Sequence, residues 1–242
     1  MADERPYYGQ EDTQPKLWHE YTLTDDYKMR GMKHAMSTVH ELIKRKEAFG
    51  LKSIITIFVK KLSSEPNLKA VYAERTPDEW LTEWRKMHKL LFGEILKGHL
   101  VGRFRRVDVR FGNVGDEELH RIPAWQEVDR ELRIFAMQIS AELTHVDVRS
   151  LDSVCKYLAK VHYQFIRIHP FDDGNGRIAR ALTDQLGISM GLPPVIAGFP
   201  RTVAEKKRKY HNAITASATD SNYRALQNWI QYQVERKIEE IA

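Results

Sequence analysis

Residues 151–180 read LDSVCKYLAKVHYQFIRIHPFDDGNGRIAR, and this stretch decides the fold. Apolar side chains recur in its first half at steps of three and four: Leu151, Val154, Leu158, Val161, Phe165 and Ile168. This spacing predicts a helix with one face in the core. Because proline pushes the preceding residue out of the helical region, the helix is predicted to end at His169-Pro170. A second helix is predicted after Gly176, so a polar loop separates two core helices.

Helical patterns continue on both sides of this stretch. Thr76-Pro77-Asp78-Glu79 combines a capping residue, a proline at the first helical position and a glutamate three residues after the cap. This combination predicts a helix start. Gly50 is interpreted as a helix stop. The remaining helices are predicted at about 24–49, 54–62, 77–96, 124–144, 202–218 and 222–240.

One segment has a different period. Val107, Val109 and Phe111 alternate with charged residues and are followed by Gly112-Asn113. This pattern predicts a β-hairpin. We therefore expect a mostly α-helical fold with a small β-hairpin flap at about 102–122. The flap belongs to one domain over residues 25–242, preceded by an N-terminal arm over residues 1–24.

Composition limits the classes of partner. The net charge of +5 is modest and its basic residues are scattered, so nucleic acid is an improbable partner. The densest basic run, 206–209, is interpreted as a solvated helix face. No apolar stretch approaches the roughly 18 to 20 residues of a membrane span, and no signal peptide is recognisable, which predicts a cytoplasmic protein. The lone Cys155 is expected to be a buried helix residue.

The loop at 169–180, H-P-F-D-D-G-N-G-R-I-A-R, concentrates polar groups where the second helix begins. Gly174-Asn175-Gly176 lets backbone N–H groups converge on an anion, and a helix N-terminus attracts phosphate. Arg177 and Arg180, three residues apart, can reach the same polyphosphate from one helix face. The pattern predicts a nucleotide site.

Two further side chains predict chemistry at that site. Asp173 beside phosphates is unfavourable unless a hard cation lies between them, most plausibly Mg²⁺. An imidazole titrates near pH 6.5 in water, so His169 can accept a proton from an attacking hydroxyl at neutral pH. Mg-ATP and a hydroxyl-bearing substrate are the expected ligands.

These residues resemble the signature of the Fic family, H-x-F-x-[D/E]-G-N-G-R-x-x-R, at every specified position. The segment Gly102-Arg103-Phe104-Arg105 and the pair Ile122-Pro123 are similar to the start and the exit of the family's substrate-docking flap. The resemblance covers about residues 25–240. It implies a protein adenylyltransferase that moves AMP from Mg-ATP to a Ser, Thr or Tyr hydroxyl of a protein docked along 107–122, with release of pyrophosphate.

The resemblance also implies a role for each residue of the motif. His169 would be the general base, Phe171 the hydrophobic anchor of the loop and Asp173 the Mg²⁺ ligand. The nucleotide would be bound by Gly174, Asn175 and Gly176 at the α-phosphate, by Arg177 and Arg180 at the β- and γ-phosphates, and by Tyr210 in the nucleotide pocket. Ser217 stands where some relatives carry asparagine.

Many relatives restrain themselves with a helix bearing [S/T]-x-x-x-E-[G/N], whose glutamate would pair with Arg180 here. The one Ser/Thr-x-x-x-Glu in this sequence, Ser37 to Glu41, is followed by leucine and lies in a predicted scaffold helix. We therefore expect restraint, if any, from a small antitoxin-type partner that supplies the glutamate in trans.

Two alternatives remain at the level of sequence. A Fic-fold enzyme could transfer phosphate, UMP or phosphocholine instead, although Doc-type kinases have lysine at the position of Asp173. A non-catalytic nucleotide-binding regulator would not require His169. P-loop, G-x-G-x-x-G and H-E-x-x-H motifs do not occur, which disfavours other nucleotide folds and zinc proteases.

Overall fold

The chain folds as a bundle of helices in the computed structural model, which describes residues 35–96, 98–109, 120–198, 204–219 and 223–242. The helices are α1 (Ala35–Ser64), α2 (Leu68–Ala73), α3 (Pro77–Phe92), α4 (Val128–His145), α5 (Leu151–Ile168), α6 (Asn175–Ser189), α7 (Ala204–Thr219) and α8 (Arg224–Ile241). A 3₁₀ turn, Trp125–Glu127, leads into α4. Among these helices none has the length and apolarity that crossing a bilayer requires. The mostly α-helical fold class is confirmed.

Helices α5 and α6 form the centre of the bundle. α5 packs against α6, α4 and α8, while α1 packs across α3 and α6. The core between α3, α4 and α5 is aromatic: the ring of Trp84 lies 5.6 Å from the rings of both Phe135 and Phe165, and 6.0 Å from that of Trp80. Such pairs stabilise a core by shape as well as by burial. Nearly every residue of α6 is itself buried, so the other helices enclose it on almost all sides.

The predicted start of α3 is confirmed. The Thr76 hydroxyl accepts a hydrogen bond from the Glu79 N–H, while the Glu79 carboxylate accepts one from the Thr76 N–H at 2.8 Å. These reciprocal bonds satisfy donors that a helix start leaves without acceptors. The helix ends at Phe92, slightly before the predicted end near Leu96.

The corner between α5 and α6 also follows the prediction in outline. α5 ends at Ile168, and His169 then adopts the left-handed conformation with φ 50° and ψ 58°. α6 begins at Asn175, directly after Gly174 with φ 85°, and so includes Gly176 in its first turn instead of starting after it. We call residues 169–174 the α5–α6 loop.

The interpretation of Gly50 as a helix stop is wrong, because α1 runs through it as one helix of 30 residues. A Cβ at Gly50 would lie 2.9 Å from the Leu90 carbonyl oxygen and 3.0 Å from the Leu91 Cα. The missing side chain therefore allows α1 and α3 to approach closely. A glycine at a helix contact and a glycine at a helix end look alike in one sequence.

Several other predictions can be placed. Both C-terminal helices are confirmed, as is Cys155 as a buried helix residue. Helix α2 was not predicted. The N-terminal arm and the predicted start of the first helix near 24 lie outside the described residues, as do residues 110–119 of the flap with their Gly112-Asn113 turn.

The first strand of the predicted hairpin is irregular as far as it is described. Residues 107–109 form neither helix nor strand. Just before them, the Arg105 N–H donates to the Pro170 carbonyl oxygen at 2.8 Å, so the chain is bonded to the α5–α6 loop at this point. The hairpin stays a prediction for the part beyond residue 109.

We predict that Gly50→Ala lowers the free energy of unfolding by about 1 kcal/mol, because overpacking against main-chain atoms outweighs the gain in helix propensity. Gly187→Ala is the matched control, since a Cβ at this α6 glycine would meet its nearest atoms at 3.6 Å. It should instead stabilise the chain by up to about 1 kcal/mol. Urea unfolding measures both. Equal stabilisation by the two variants would mean that α1 and α3 do not touch at Gly50.

Candidate functional site

The α5–α6 loop is closed by one side chain. The Asn175 amide accepts from the Phe171 N–H and donates to the Phe171 carbonyl oxygen, both at 2.8 Å. Phe171, predicted to anchor the loop, is fully buried, with its ring stacked 4.2 Å from that of His88. Since the Asn175 side chain is engaged within the loop, any contribution of Asn175 to anion binding would come from its backbone N–H.

Gly174 is required at the turn into α6 for two reasons. Its φ of 85° lies in the region that L-residues with a Cβ avoid. A Cβ here would also lie 2.1 Å from Cε2 of Phe92. The tight turn points the first N–H groups of α6 toward the loop, and a helix start has no intrahelical acceptors for such groups. An anion would be stabilised there.

The His169 imidazole is oriented by the end of α5. His169 is buried, and its Nδ1 lies 3.2 Å from the Ile166 carbonyl oxygen. A carbonyl oxygen can only accept, so Nδ1 carries the proton in this contact. In the neutral imidazole the lone pair is then on Nε2, the nitrogen that a general base would use.

Arg177 connects the loop to two carboxylates. Its guanidinium donates to Oδ1 of Asp173 at 2.8 Å and also bonds Glu47 on α1. It lies over the Phe92 ring, 4.7 Å from the centroid. Arg177 and Asp173 are both buried. The sequence prediction did not include Glu47.

The donor set fits a cation shared with a phosphate ligand. Within the ranges given above, no three His, Cys, Asp or Glu side chains converge as a metal-binding group. Mg²⁺ commonly binds proteins through one or two carboxylates and completes its octahedron with water and phosphate oxygens. The buried Asp173 carboxylate suits that mode.

Arg180 has different neighbours from Arg177. Its guanidinium lies 5.6 Å from the ring centroid of Tyr210 on α7, which is itself fully buried. The Tyr210 hydroxyl lies 2.8 Å from Nε2 of His162, whose Nδ1 lies 2.8 Å from the Thr183 hydroxyl. The structure thus places Tyr210 beneath Arg180. Its predicted contact with a nucleotide stays a prediction.

Asp184 fixes the chain that follows α6. Its carboxylate accepts from the backbone N–H groups of Val195, Ile196 and Ala197 at 2.8 to 3.1 Å. Burial raises the pKa of Asp184 to about 6, although these hydrogen bonds and Arg180 act in the opposite direction. The three hydrogen bonds hold residues 195–197 against α6.

Two buried residues hold the beginning of the flap, residues 102–108, which we call the flap base. Nδ1 of His88 accepts from the Gly102 N–H at 3.0 Å, and its Nε2 donates to the Asp173 carbonyl oxygen at 3.2 Å. Burial lowers the pKa of His88 to about 4, so the ring is neutral and this pair of bonds is maintained.

Arg105 is the second of these residues. Its Nε donates to the His169 carbonyl oxygen at 2.7 Å, and its terminal nitrogens donate to the carbonyl oxygens of Val107, Pro123 and Ile168. Its side chain is fully buried. Arg105 thus holds the flap base, the flap exit and the end of α5 together.

Glu47, His88 and Arg105 were not identified as site residues from the sequence. A signal existed for His88, which interrupts the apolar face of α3 formed by Trp84, Met87 and Leu91. Glu47 and Arg105 stand among other charged residues, and nothing local distinguishes them.

The comparisons agree with this geometry. The Fic/DOC family model matches residues 80–186, from α3 to α6. Protein adenylyltransferase Fic from Culex quinquefasciatus is 31% identical over 118 residues, 48% of this chain and 21% of that protein. Its counterpart from Drosophila grimshawi is 31% identical over 128 residues, 52% of this chain and 23% of that protein. The chain therefore covers less than a quarter of these relatives.

Solved structures show the same fold. A fragment of Fic-1 from C. elegans superposes with a TM-score of 0.55 at 21% identity, covering 78% of this chain and 50% of that one. A Fic domain containing signaling protein from Bacteroides thetaiotaomicron gives a TM-score of 0.55 at 17% identity, covering 80% and 68%. The segment 80–186 thus matches the Fic/DOC family model, and the chain shares its fold with these solved Fic proteins.

We predict a pH-dependent contribution of Asp184 to stability. Because its pKa is raised in the fold, the folded chain holds a proton there that the unfolded chain releases between about pH 4 and 6. The contribution is present at low pH and is lost as the pH rises through about 6, by roughly 3 kcal/mol. Urea titrations measure the free energy of unfolding of the parent and of Asp184→Asn at each pH. The difference, parent minus variant, should fall between about pH 4 and 6.

Asp147→Asn serves as the control for this measurement. The Arg149 N–H lowers the pKa of the exposed Asp147, so the same difference should change in the opposite direction and by less. A flat or rising difference for Asp184→Asn would contradict the predicted burial effect.

Proposed function

We propose that the chain transfers AMP from ATP to a hydroxyl side chain of a protein target and releases pyrophosphate. One observation carries this proposal. In the α5–α6 loop, the oriented His169 imidazole directly precedes the tight turn at Gly174 into the N-terminus of α6. The curated relatives from Culex and Drosophila are named protein adenylyltransferases, which supports the same activity.

The proposed step assigns each proton and bond. The target hydroxyl oxygen attacks the α-phosphorus while the bond from that phosphorus to the pyrophosphate oxygen breaks, and the hydroxyl proton moves to Nε2 of His169. Charge on the α-phosphate would be stabilised by backbone N–H groups at Gly174, Asn175 and Gly176. Arg177 and Arg180 would bind the β- and γ-phosphates.

Mg²⁺ is part of the proposal, with Asp173 as its protein ligand. When bound, it would neutralise phosphate charge and orient the leaving pyrophosphate. Arg177 already neutralises the Asp173 carboxylate in the fold, so nucleotide binding exchanges one partner of Asp173 for another. Tyr210, buried beneath Arg180, would fix that guanidinium during binding.

Protein targets are proposed to dock along 107–122. The side chain of Val107 at the start of this segment is 55% exposed, which suits the contact with an extended chain that strand addition requires. A cytoplasmic setting and an antitoxin-type partner that reaches Arg180 are proposals of the same kind, motivated by sequence alone.

Loss of the base should separate chemistry from binding. We predict that His169→Ala lowers the rate of transfer by about a hundredfold or more, because a positioned base contributes on that scale. Mg-ATP affinity should change less than about twofold, since the base acts on the attacking hydroxyl. Transfer is followed with ATP labelled on the α-phosphate and affinity by calorimetry.

Two comparisons make that result decisive. His145→Ala, at the exposed end of α4, should retain parental transfer. ATP labelled on the γ-phosphate distinguishes phosphate transfer from AMP transfer, because only the former would label the target. Parental transfer of the α-label by His169→Ala would refute the assigned role.

Glu47 is proposed to compete with nucleotide phosphate for Arg177. We predict that Glu47→Gln tightens Mg-ATP binding about tenfold, which corresponds to about 1.4 kcal/mol, because a carboxylate no longer neutralises the guanidinium. Glu94→Gln is the control: Glu94 bonds Lys46, the residue beside Glu47, at the surface. Calorimetry should show no change for that control, and equal affinities for all three proteins would exclude competition by Glu47.

A further inference from the structure

The flap base and the α5–α6 loop are joined at both ends by buried hydrogen bonds. At one end His88 binds the Gly102 N–H and the Asp173 carbonyl oxygen. At the other end the Arg105 guanidinium binds the His169 and Ile168 carbonyl oxygens, while the Arg105 N–H donates to Pro170. The two segments therefore cannot separate without breaking bonds at both places.

Stability alone does not account for the buried Arg105 side chain. A fully buried guanidinium loses its hydration, and an apolar side chain of similar volume is often at least as stabilising. The hydrogen-bond acceptors of Arg105 are main-chain carbonyl oxygens. The carboxylate of the exposed Asp108 lies 3.7 Å from its guanidinium. Two of these carbonyls lie where α5 ends, and the C-terminal end of a helix attracts positive charge. The position of Arg105 is thus specified by the end of α5.

The same bonds restrict the peptide that orients His169. A left-handed conformation in a residue with a Cβ is costly and persists only when its surroundings impose it. At His169 the carbonyl oxygen is held by Arg105 and the ring by the Ile166 carbonyl oxygen. Rotation of the peptide after His169 would break the bond from Arg105.

We propose that Arg105 and His88 are positioning residues that lock the flap base to the α5–α6 loop, so that the flap base and the His169 imidazole keep one fixed relation. Its functional consequence, the alignment of a docked hydroxyl with the His169 imidazole, rests on the proposed function. The lock itself is a property of the fold and can be tested without activity.

The test measures backbone amide hydrogen exchange by NMR in the full chain, with three informative variants. His88→Phe keeps a stacked ring but removes both hydrogen bonds, whereas His88→Gln can still accept and donate. Arg105→Lys keeps the charge but loses the planar fork of donors. The reporters are the Gly102 and Arg105 amides, which bond His88 and Pro170 respectively.

If the lock exists, His88→Phe should accelerate amide exchange at both reporters by about tenfold. A change of this size corresponds to the loss of one ordinary hydrogen bond. Arg105→Lys should accelerate the Gly102 amide in the same way. The Gly191 amide, bonded to Ile188 at the far end of α6, should be unchanged, and His88→Gln should restore parental exchange. The ¹⁵N signals of the His169 ring should shift in His88→Phe and Arg105→Lys only.

Acceleration at Gly102 alone in His88→Phe, with an unchanged Arg105 amide and His169 ring, would overturn the lock. Uniform acceleration that includes Gly191 would also overturn it, because it indicates global loss of stability. With ATP labelled on the α-phosphate, transfer should fall about tenfold in His88→Phe and Arg105→Lys at unchanged Mg-ATP affinity. If the parent transfers no label while exchange remains coupled, the proposed function fails and the lock stands.

Discussion

The paired hydrogen bonds between the Asn175 amide and the Phe171 main chain are the constraint on which the site depends. They satisfy a buried N–H and a buried carbonyl within one loop, so the chain can reverse direction inside the bundle without unpaired polar groups. With the loop closed, Phe171 enters the aromatic layer beside His88 and Gly174 fits against Phe92. The end of α5 and the start of α6 are thus joined by a loop of fixed conformation.

Charge compensation completes the arrangement. Arg177 bonds the carboxylates of Asp173 and Glu47. Arg180 lies over the face of Tyr210, and its charge acts on the Asp184 carboxyl. Buried guanidinium groups require such neighbours, because an uncompensated charge in the interior is expensive. A polyphosphate could replace Glu47 as the partner of Arg177 without leaving the cation unneutralised.

Local signals explain what could be predicted from sequence. The apolar steps of α5, the capping box of α3 and the H-P-F-D-D-G-N-G-R-I-A-R segment each act over a few residues, and each appears at its predicted place. The reading of Gly50 failed because its meaning depends on Leu90 and Leu91, which are brought against it only by tertiary packing. Glu47, His88 and Arg105 were missed for the same reason: their partners lie far away in sequence.

The most direct measurement is a crystal structure of the chain with Mg²⁺ and a non-hydrolysable ATP analogue. The α-phosphate should lie within hydrogen-bond distance of the first N–H groups of α6, with the Asn175–Phe171 bonds intact and the Glu47 carboxylate displaced from Arg177. The analogue bound elsewhere, or an α5–α6 loop that had to open and refold around it, would contradict a preformed anion site at this corner of the fold.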